Sequence, residues 1–348
     1  MNKPDYTFVH RRFKLNGFTF SKDDLCRIAY SFIKEGQPYE KAVGDFILDW
    51  FDPTDVIAIQ TSGTTGQPKT IQMQKQAMVN SALATGEFFD LPAGTEALHC
   101  LPVHYIAGKM MLVRAFILGW ELDFIEPVSN PLERGKKIYD FAAMVPMQAQ
   151  QSLPELHRIK KLILGGAKVN NELSRQLSTV SNEIFETYGM TETVTHIAAK
   201  RIGEEAFIVL PGIEIEEDER HCLVINAPDI CNEPVTTNDV VKVISAEQFI
   251  WLGRYDNVIN SGGVKLFPEQ IEEKLAPYFT TRFFVKGIQD DKLGEKLVLV
   301  VEGEPYDIKK SVFSKLDKFE KPKQILFVDK FAETPSGKII RTVNNITA

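Results

Sequence analysis

The 348-residue chain is long enough for two ordinary cores, and its 44% hydrophobic and 25% charged residues exclude extensive disorder. The 40 basic and 47 acidic residues leave a formal charge of −7, which disfavours a nucleic-acid partner held by counterion release. Four scattered cysteines (Cys26, Cys100, Cys222 and Cys231) without a C-x-x-C pair exclude a disulfide framework or zinc knuckle and make a reducing cytoplasm the expected compartment.

At the N-terminus, MNKPDYTFVHRRFKLNG places charges where a secretory signal needs an apolar stretch. No run of about 18 apolar residues follows, so neither export nor a membrane span is expected. Residues 55–165 alternate β-rich runs with helix-period stretches: VIAIQ, KQAMVNSALATGEFF, ALHCL, GKMMLVRAFIL, ELDFI and later KKLIL. This alternation predicts strand-helix-strand units and a largely parallel sheet. From 207 to 251, FIVL, IEIEE, CLVINA, VVKVI and FIWLG, separated by Pro, Asn, Asp and Gly, predict a β-rich subdomain of antiparallel strands. Beyond Arg254 the pattern is mixed. A strand at VIN is followed by a helix over PEQIEEKLAPY with Pro268 in its first turn, then strands FFVKG and KLVLVV. A helix over DIKKSVFSKLDKF and a strand ILFVD precede the tail. The expected fold is α/β. A large N-terminal domain over 1–255 has mostly parallel sheets flanked by helices plus the β-rich subdomain, and a small mobile α+β domain spans 256–348.

Four segments carry chemistry. TSGTTGQPK, Thr61 to Lys69, follows the strand VIAIQ. Its glycines and hydroxyls can wrap a polyphosphate while Lys69 adds charge. It is not a Walker loop, because Gln67 and Pro68 follow Gly66. ETYGMTET, Glu186 to Thr193, offers Tyr188 as a ring for a nucleobase, Thr191 as a phosphate donor and Glu192 as a magnesium ligand. Alone, it reads equally well as a helix cap. WLGRYDNVINSGGVKLFPEQIE contains Arg254, a bidentate donor suited to ribose or phosphate, Asp256 at the domain boundary, and Gly262 and Gly263, which permit close backbone approach or an unusual turn. A hairpin with a buried Arg and Asp pair is the structural alternative. Last, ETPSGKIIR presents Lys338 on an exposed Pro-Ser-Gly turn near the C-terminus.

In this order the four segments resemble the adenylate-forming superfamily of acyl-CoA synthetases, adenylation domains and luciferases. The resemblance implies that Thr61, Ser62, Gly63, Thr64, Thr65, Gly66 and Lys69 bind pyrophosphate, and that Gly165, Gly166, Ala167, Tyr188 and Gly189 surround adenine. Thr191 and Glu192 would handle phosphate and Mg²⁺. Asp239 would bind ribose, although Asn238 stands where the superfamily's Thr-Gly-Asp triplet has glycine, and Arg254 would share that ribose. Asp256 would be a hinge, Lys338 the lysine of adenylation, and Gly262 with Gly263 would face the pantetheine of coenzyme A. The 60 residues before Thr61 are fewer than this superfamily usually carries there, so part of its N-terminal subdomain is expected to be missing.

That compactness, with LPVHYIAGKMMLVRAF, LILGGAK and GMTETVTHIAAKRI, is similar to the short 2-succinylbenzoate-CoA ligases of menaquinone synthesis. Such an acid needs apolar walls and a donor for the carboxylate that is not activated. The candidates are His104, Lys109, Arg114, Lys168, Thr195 and His196. Arg114 lies in MMLVRAFIL, where an unpaired charge is expensive, so a ligand or a buried carboxylate partner is expected. For His104 and His196 a hydrogen-bonded core or rim role is preferred to direct catalysis, and Lys109 and Lys168 read equally as solvated. Two alternatives stay open: a different aryl or acyl ligase or carrier-loading enzyme, and a non-catalytic nucleotide-binding relative.

Overall fold

The computed structural model describes residues 3–60, 70–333 and 339–341. The chain opens with short strands β1 (Lys14–Leu15) and β2 (Phe18–Thr19), then helices α1 (Lys22–Glu35) and α2 (Pro38–Phe51). Ser21 and Asp24 start α1 as a reciprocal capping box. Pro38 in the first turn and the Glu40 carboxylate on the Gln37 N–H start α2. The α2 residues Val43, Phe46, Ile47 and Trp50 recur at helical spacing and are buried, each large side chain contributing about 2 kcal/mol by area.

Next come β3 (Val56–Gln60), β4 (Thr70–Gln74), α3 (Lys75–Phe88), β5 (Glu96–His99), α4 (Ile106–Leu118), β6 (Glu121–Phe124), β7 (Tyr139–Met144), α5 (Pro146–Gln151), β8 (Ile159–Leu164), α6 (Asn171–Leu177) and β9 (Glu183–Gly189). Strands β9, β8, β7, β5, β6 and β1 lie side by side in that order, all parallel. Helices α1–α4 bury their apolar faces in one core and α5 and α6 in another. VIAIQ departs from expectation. It is β3, which pairs antiparallel with β4 in a separate two-stranded ribbon rather than joining the parallel sheet. Its partner is its near neighbour in sequence, joined through residues 61–69, and local pairing costs little loop entropy.

Strands β10 (His196–Arg201), β11 (Ala206–Val209), β12 (Glu214–Glu217), β13 (Cys222–Asn226), β14 (Val235–Ser245) and β15 (Gln248–Arg254) pair antiparallel. They continue the parallel block through a β9–β10 pair, so both halves form one 13-stranded sheet. The chain then crosses to a five-stranded sheet between Arg254 and Ile259. That sheet comprises β16 (Ile259–Ser261), β17 (Val264–Leu266), β18 (Phe283–Asp290), β19 (Gly294–Glu302) and β20 (Gln324–Val328), with α7 (Pro268–Leu275) following β17. It has its own apolar clusters. The helix expected over DIKKSVFSKLDKF is absent: only a 3-10 turn, Lys310–Phe313, forms there. Ile308, Ser311, Val312 and Ser314 are poor helix formers, and Lys309, Lys310, Lys315 and Lys318 repel one another. Burial of Ile308, Val312, Phe313 and Leu316 against the sheet shapes the segment instead. Among the described residues no helix is long and apolar enough to cross a membrane.

Candidate active site

Ligands of α/β sheets bind outside the carboxyl ends of parallel strands, and two of the sequence motifs meet there. Strands β8 and β9 run in register, Leu164 opposite Glu186, so Gly165–Ala167 and Tyr188–Glu192 emerge side by side. Gly165 is demanded by the neighbour: a Cβ there would lie 2.8 Å from Thr187 Oγ1, which donates to the Leu164 carbonyl at 2.9 Å. Gly166 has φ +80°, a conformation that favours glycine. Gly189 faces the Thr195 and His196 backbone so closely that no Cβ fits.

Between β9 and β10 the chain makes a strained reversal. Val194, buried and β-branched, has φ 66° and ψ −61°, and the Thr195 N–H donates to the Thr193 carbonyl at 2.7 Å. This is a γ-turn of the rare positive-φ kind. Buried Thr193 braces it, its hydroxyl lying 3.0 Å from both the Met190 and Thr195 carbonyls. The turn leaves Glu192 exposed, with its backbone carbonyl accepting from Cys231 Sγ at 3.2 Å, and sends His196 back opposite Gly189.

Asp239 anchors the antiparallel side. It is 6% exposed and faces Arg254 across the β14–β15 pair. Its carboxylate accepts from Tyr188 Oη at 2.8 Å and Trp251 Nε1 at 3.0 Å, with Arg254 at 3.5 Å. Burial and the Asp239 charge push the Tyr188 hydroxyl far above its ordinary value, so it stays a donor. The Tyr188 ring rests edge-on against Phe249. A carboxylate has about four acceptor directions, so Asp239 keeps capacity for a further donor. Trp251 stands in the WLGRYDN segment, but only the cross-strand register reveals its target.

Asn238 donates to Asp256 at 3.1 Å and accepts from Arg220 at 3.1 Å. The residue that departs from the Thr-Gly-Asp pattern thus ties the segment between the two sheets. Gly262 and Gly263, at φ 60° and 82°, form a two-residue hairpin turn between β16 and β17. Thr61–Lys69 and Lys338 lie outside the described residues. The flanks of the second segment are held: Glu333 pairs with Ile339, and Arg341 grips Glu272 at 2.6 and 2.7 Å.

The acid-pocket candidates separate. His104 is exposed at the rim of a cavity of about 250 Å³ that also touches buried His99. Lys109 lies over the Phe46 ring at 5.0 Å; burial lowers its pKa, with Asp49 and Asp45 opposing. Lys168 pairs with Glu273 at 2.8 Å and lies over Trp251. Arg114 and His196 are buried together, 3.4 Å apart, with Thr195 Oγ1 3.5 Å from the same imidazole nitrogen. No carboxylate accompanies Arg114 among the described residues, so that half of the expectation fails.

A family described as AMP-binding enzyme matches residues 22–220. The chain belongs to the AMP-binding enzyme family. It is 25% identical to a 2-succinylbenzoate–CoA ligase of Staphylococcus aureus strain JH9, over 97% of this chain and 76% of that one. An Enterococcus faecalis V583 protein of the same name is also 25% identical, over 81% of this chain and 67% of that one. Among solved structures, an acyl-CoA synthetase (AMP-forming)/AMP-acid ligase II-like protein from Dyadobacter fermentans is 38% identical, covering 90% of this chain and 96% of its own, with a TM-score of 0.64. An O-succinylbenzoate coenzyme A synthetase from Bacillus subtilis, in complex with ATP and magnesium, shares the fold at a TM-score of 0.69 and 20% identity, over 82% of this chain and 68% of that one. For an AMP-binding enzyme the donor set is apt. Among the described residues no group of three or more His, Cys, Asp or Glu is placed to hold a metal ion, and magnesium carried on a nucleotide needs only one or two protein carboxylates. Exposed Glu192 fits that requirement.

Proposed function

We propose that this AMP-binding enzyme is an acid–CoA ligase that activates 2-succinylbenzoate as its acyl-AMP, releases pyrophosphate and then forms the CoA thioester. The observation that carries the reading is the meeting of Gly165–Ala167 with Tyr188–Glu192 at the carboxyl edge of β8 and β9, beside the Asp239 carboxylate, in a chain similar to ligases named for that acid. A reducing cytoplasm suits its soluble substrates.

Attack of the acid's carboxylate oxygen on the α-phosphate forms one P–O bond and breaks the bond to pyrophosphate. It brings two anions together, so donors and positive charge must converge there. Thr61–Lys69 and Thr191 would supply donors, Lys338 charge, and Glu192 the protein ligand to the magnesium that ATP carries. Asp239 and Arg254 would hold the ribose. In the second step the thiol sulfur bonds to the acyl carbon, AMP leaves, and the thiol proton passes to solvent. Residues 256–348 would turn about Asp256, withdrawing Lys338 and presenting Gly262 and Gly263 to pantetheine.

The test is formation of AMP and CoA thioester with ATP, CoA and 2-succinylbenzoate, together with acid-dependent exchange of labelled pyrophosphate into ATP across a panel of acids. Another acid winning the panel would replace the substrate, and no exchange with any acid would end the reading. Lys338→Ala is expected to lower adenylate formation at least about 100-fold while sparing thioester formation from supplied acyl-adenylate. Equal loss of both steps would contradict the two-conformation mechanism.

A further inference from the structure

The chain passes from the 13-stranded sheet to the five-stranded one through the 3-10 turn Tyr255–Asn257, and side chains of the antiparallel block hold that turn. Arg220, between β12 and β13, spends its whole guanidinium there. Nε and Nη2 meet Asp218 at 2.9 and 2.8 Å, Nη2 also donates to the Thr237 carbonyl at 3.2 Å, and Nη1 donates to Asn238 Oδ1 at 3.1 Å. The guanidinium also lies 5.1 Å from the centre of the Tyr255 ring. An arginine can only donate, so Asn238 must turn its amide oxygen to Arg220. Its NH2 group is thereby aimed at Asp256 Oδ2, 3.1 Å away.

The surroundings show why so small a contact matters. A cavity of about 420 Å³ lies beside it, with Arg220, Val240 and Leu252 on one side and Val258, Lys265 and Phe267 on the other. The two sheets are therefore not joined by a packed core here, and polar ties weigh more in their relation. A Cβ built on Gly263 would meet no described atom within 4 Å, and one on Gly262 only Leu293 of the turn between β18 and β19. At these two glycines the hairpin is undocked from the 13-stranded sheet, among the described residues.

We propose that Asn238, oriented by Arg220, is a latch on Asp256 that holds residues 256–348 with this hairpin undocked and that must release before the thioester step. This rests on the ligase reading and adds a positioning residue to its second step. Glycine at 238, as in the Thr-Gly-Asp pattern, has no side chain with which to make the contact. A contact shifts a conformational equilibrium only by the free energy it loses in the other state, and here that is one hydrogen bond.

The experiment follows thioester formation from CoA and supplied 2-succinylbenzoyl-AMP, beside acid-dependent exchange of pyrophosphate into ATP, in the wild type, Asn238→Asp and Asn238→Gly. Asn238→Asp keeps the acceptor for Arg220 but sets a carboxylate against Asp256, so it breaks the latch without removing the side chain. The ratio of thioester rate to exchange rate is expected to rise about 5-fold in Asn238→Asp, the worth of one hydrogen bond, and Asn238→Gly should move it the same way. An unchanged or lowered ratio in Asn238→Asp overturns the proposal. If the wild type makes no thioester, the ligase reading fails separately, and amide hydrogen exchange over Tyr255–Ile259 decides. Exchange about 5-fold faster there in Asn238→Asp, with β8 and β9 unchanged, supports the latch. Exchange that is equal, or faster throughout the chain, refutes it.

Discussion

Lys75 and Arg114 are both fully interior cations, on neighbouring helices, and they are treated in opposite ways. Lys75 is wholly buried but satisfied: it pairs with Asp52 at 2.6 Å, approaches the Asp52 carbonyl at 3.4 Å and lies over the Tyr6 ring at 5.3 Å. Arg158 is hydrogen-bonded to the Leu132 and Lys137 carbonyls instead. Arg114 has a sulfur and one imidazole nitrogen, and burial lowers its pKa to about 9, still leaving it charged at neutral pH. A folded core normally completes its buried charges. Among these three cations Arg114 is the exception, its Nε without a partner among the described residues.

Acid gives the largest expected separation between the two regions. Burial lowers the pKa of His99 to about 4, and burial with the Arg114 charge lowers that of His196 well below 6.5. Both folded-state values lie below the unfolded one, so the unfolded chain takes up protons first and stability is lost as pH falls from about 6.5 towards 4. His99 alone should cost about 3 kcal/mol over that window. The Lys75–Asp52 pair should hold throughout it. Burial raises the Asp52 pKa, but hydrogen bonds from Lys75 and Thr54 outweigh this and hold it below 3.8. Thermal melts between pH 7 and 4.5 should decline, and His99→Gln should flatten the slope. A flat profile in the wild type would show that the two histidines are not held neutral.

The same substitution at the two cations should then have opposite signs. Lys75→Met removes an ion pair whose other member is 41% exposed, so Asp52 recovers water and the loss is about 2 kcal/mol rather than the full cost of an orphaned charge. Arg114→Met removes a charge with no partner and should stabilise the ligand-free protein by about 1 kcal/mol. Denaturant titration of both variants checks this. Destabilisation by Arg114→Met equal to that of Lys75→Met would mean that Arg114 is structural after all.

Arg114 also marks how far the sequence could be read. A lone charge within MMLVRAFIL is conspicuous in one dimension, whereas its neighbour His196 comes from a strand 82 residues away. The parallel half was legible because each strand-helix unit buries its own apolar period, as ALHCL, GKMMLVRAFIL and ELDFI do. The β9–β10 join was not legible, since continuity of a sheet depends on pairing rather than on local pattern. VIAIQ had the composition of a buried strand and no signal that its partner would be β4. DIKKSVFSKLDKF had a helical spacing of apolar residues that tertiary burial satisfied without a helix. Within the site, the glycines and Tyr188 were readable as motifs. The donors that Trp251 and Tyr188 send to Asp239 required the β14–β15 register and the packing of β9 against it.

Lys168 supplies the third case, a cation that is paired but exposed, and the smallest expected effect. Its bond to Glu273 joins the turn after β8 to α7, and both side chains keep around two fifths of their exposure, 44% and 39%. Solvent screens such a pair and side-chain entropy opposes it, while the contact over Trp251 adds little at an exposed site. Lys168→Ala should therefore cost about 0.5 kcal/mol and lose even that at high salt. The Asn171 side chain donates to the Glu273 carbonyl at 2.8 Å, and Gln270 donates to the Trp251 and Leu252 carbonyls, so the junction has other ties. Melting temperatures at low and high salt would read the effect. A loss of several kcal/mol would place Lys168 with Lys75, as a cation that the fold needs, and would mean that exposure is a poor guide to which paired charges matter here.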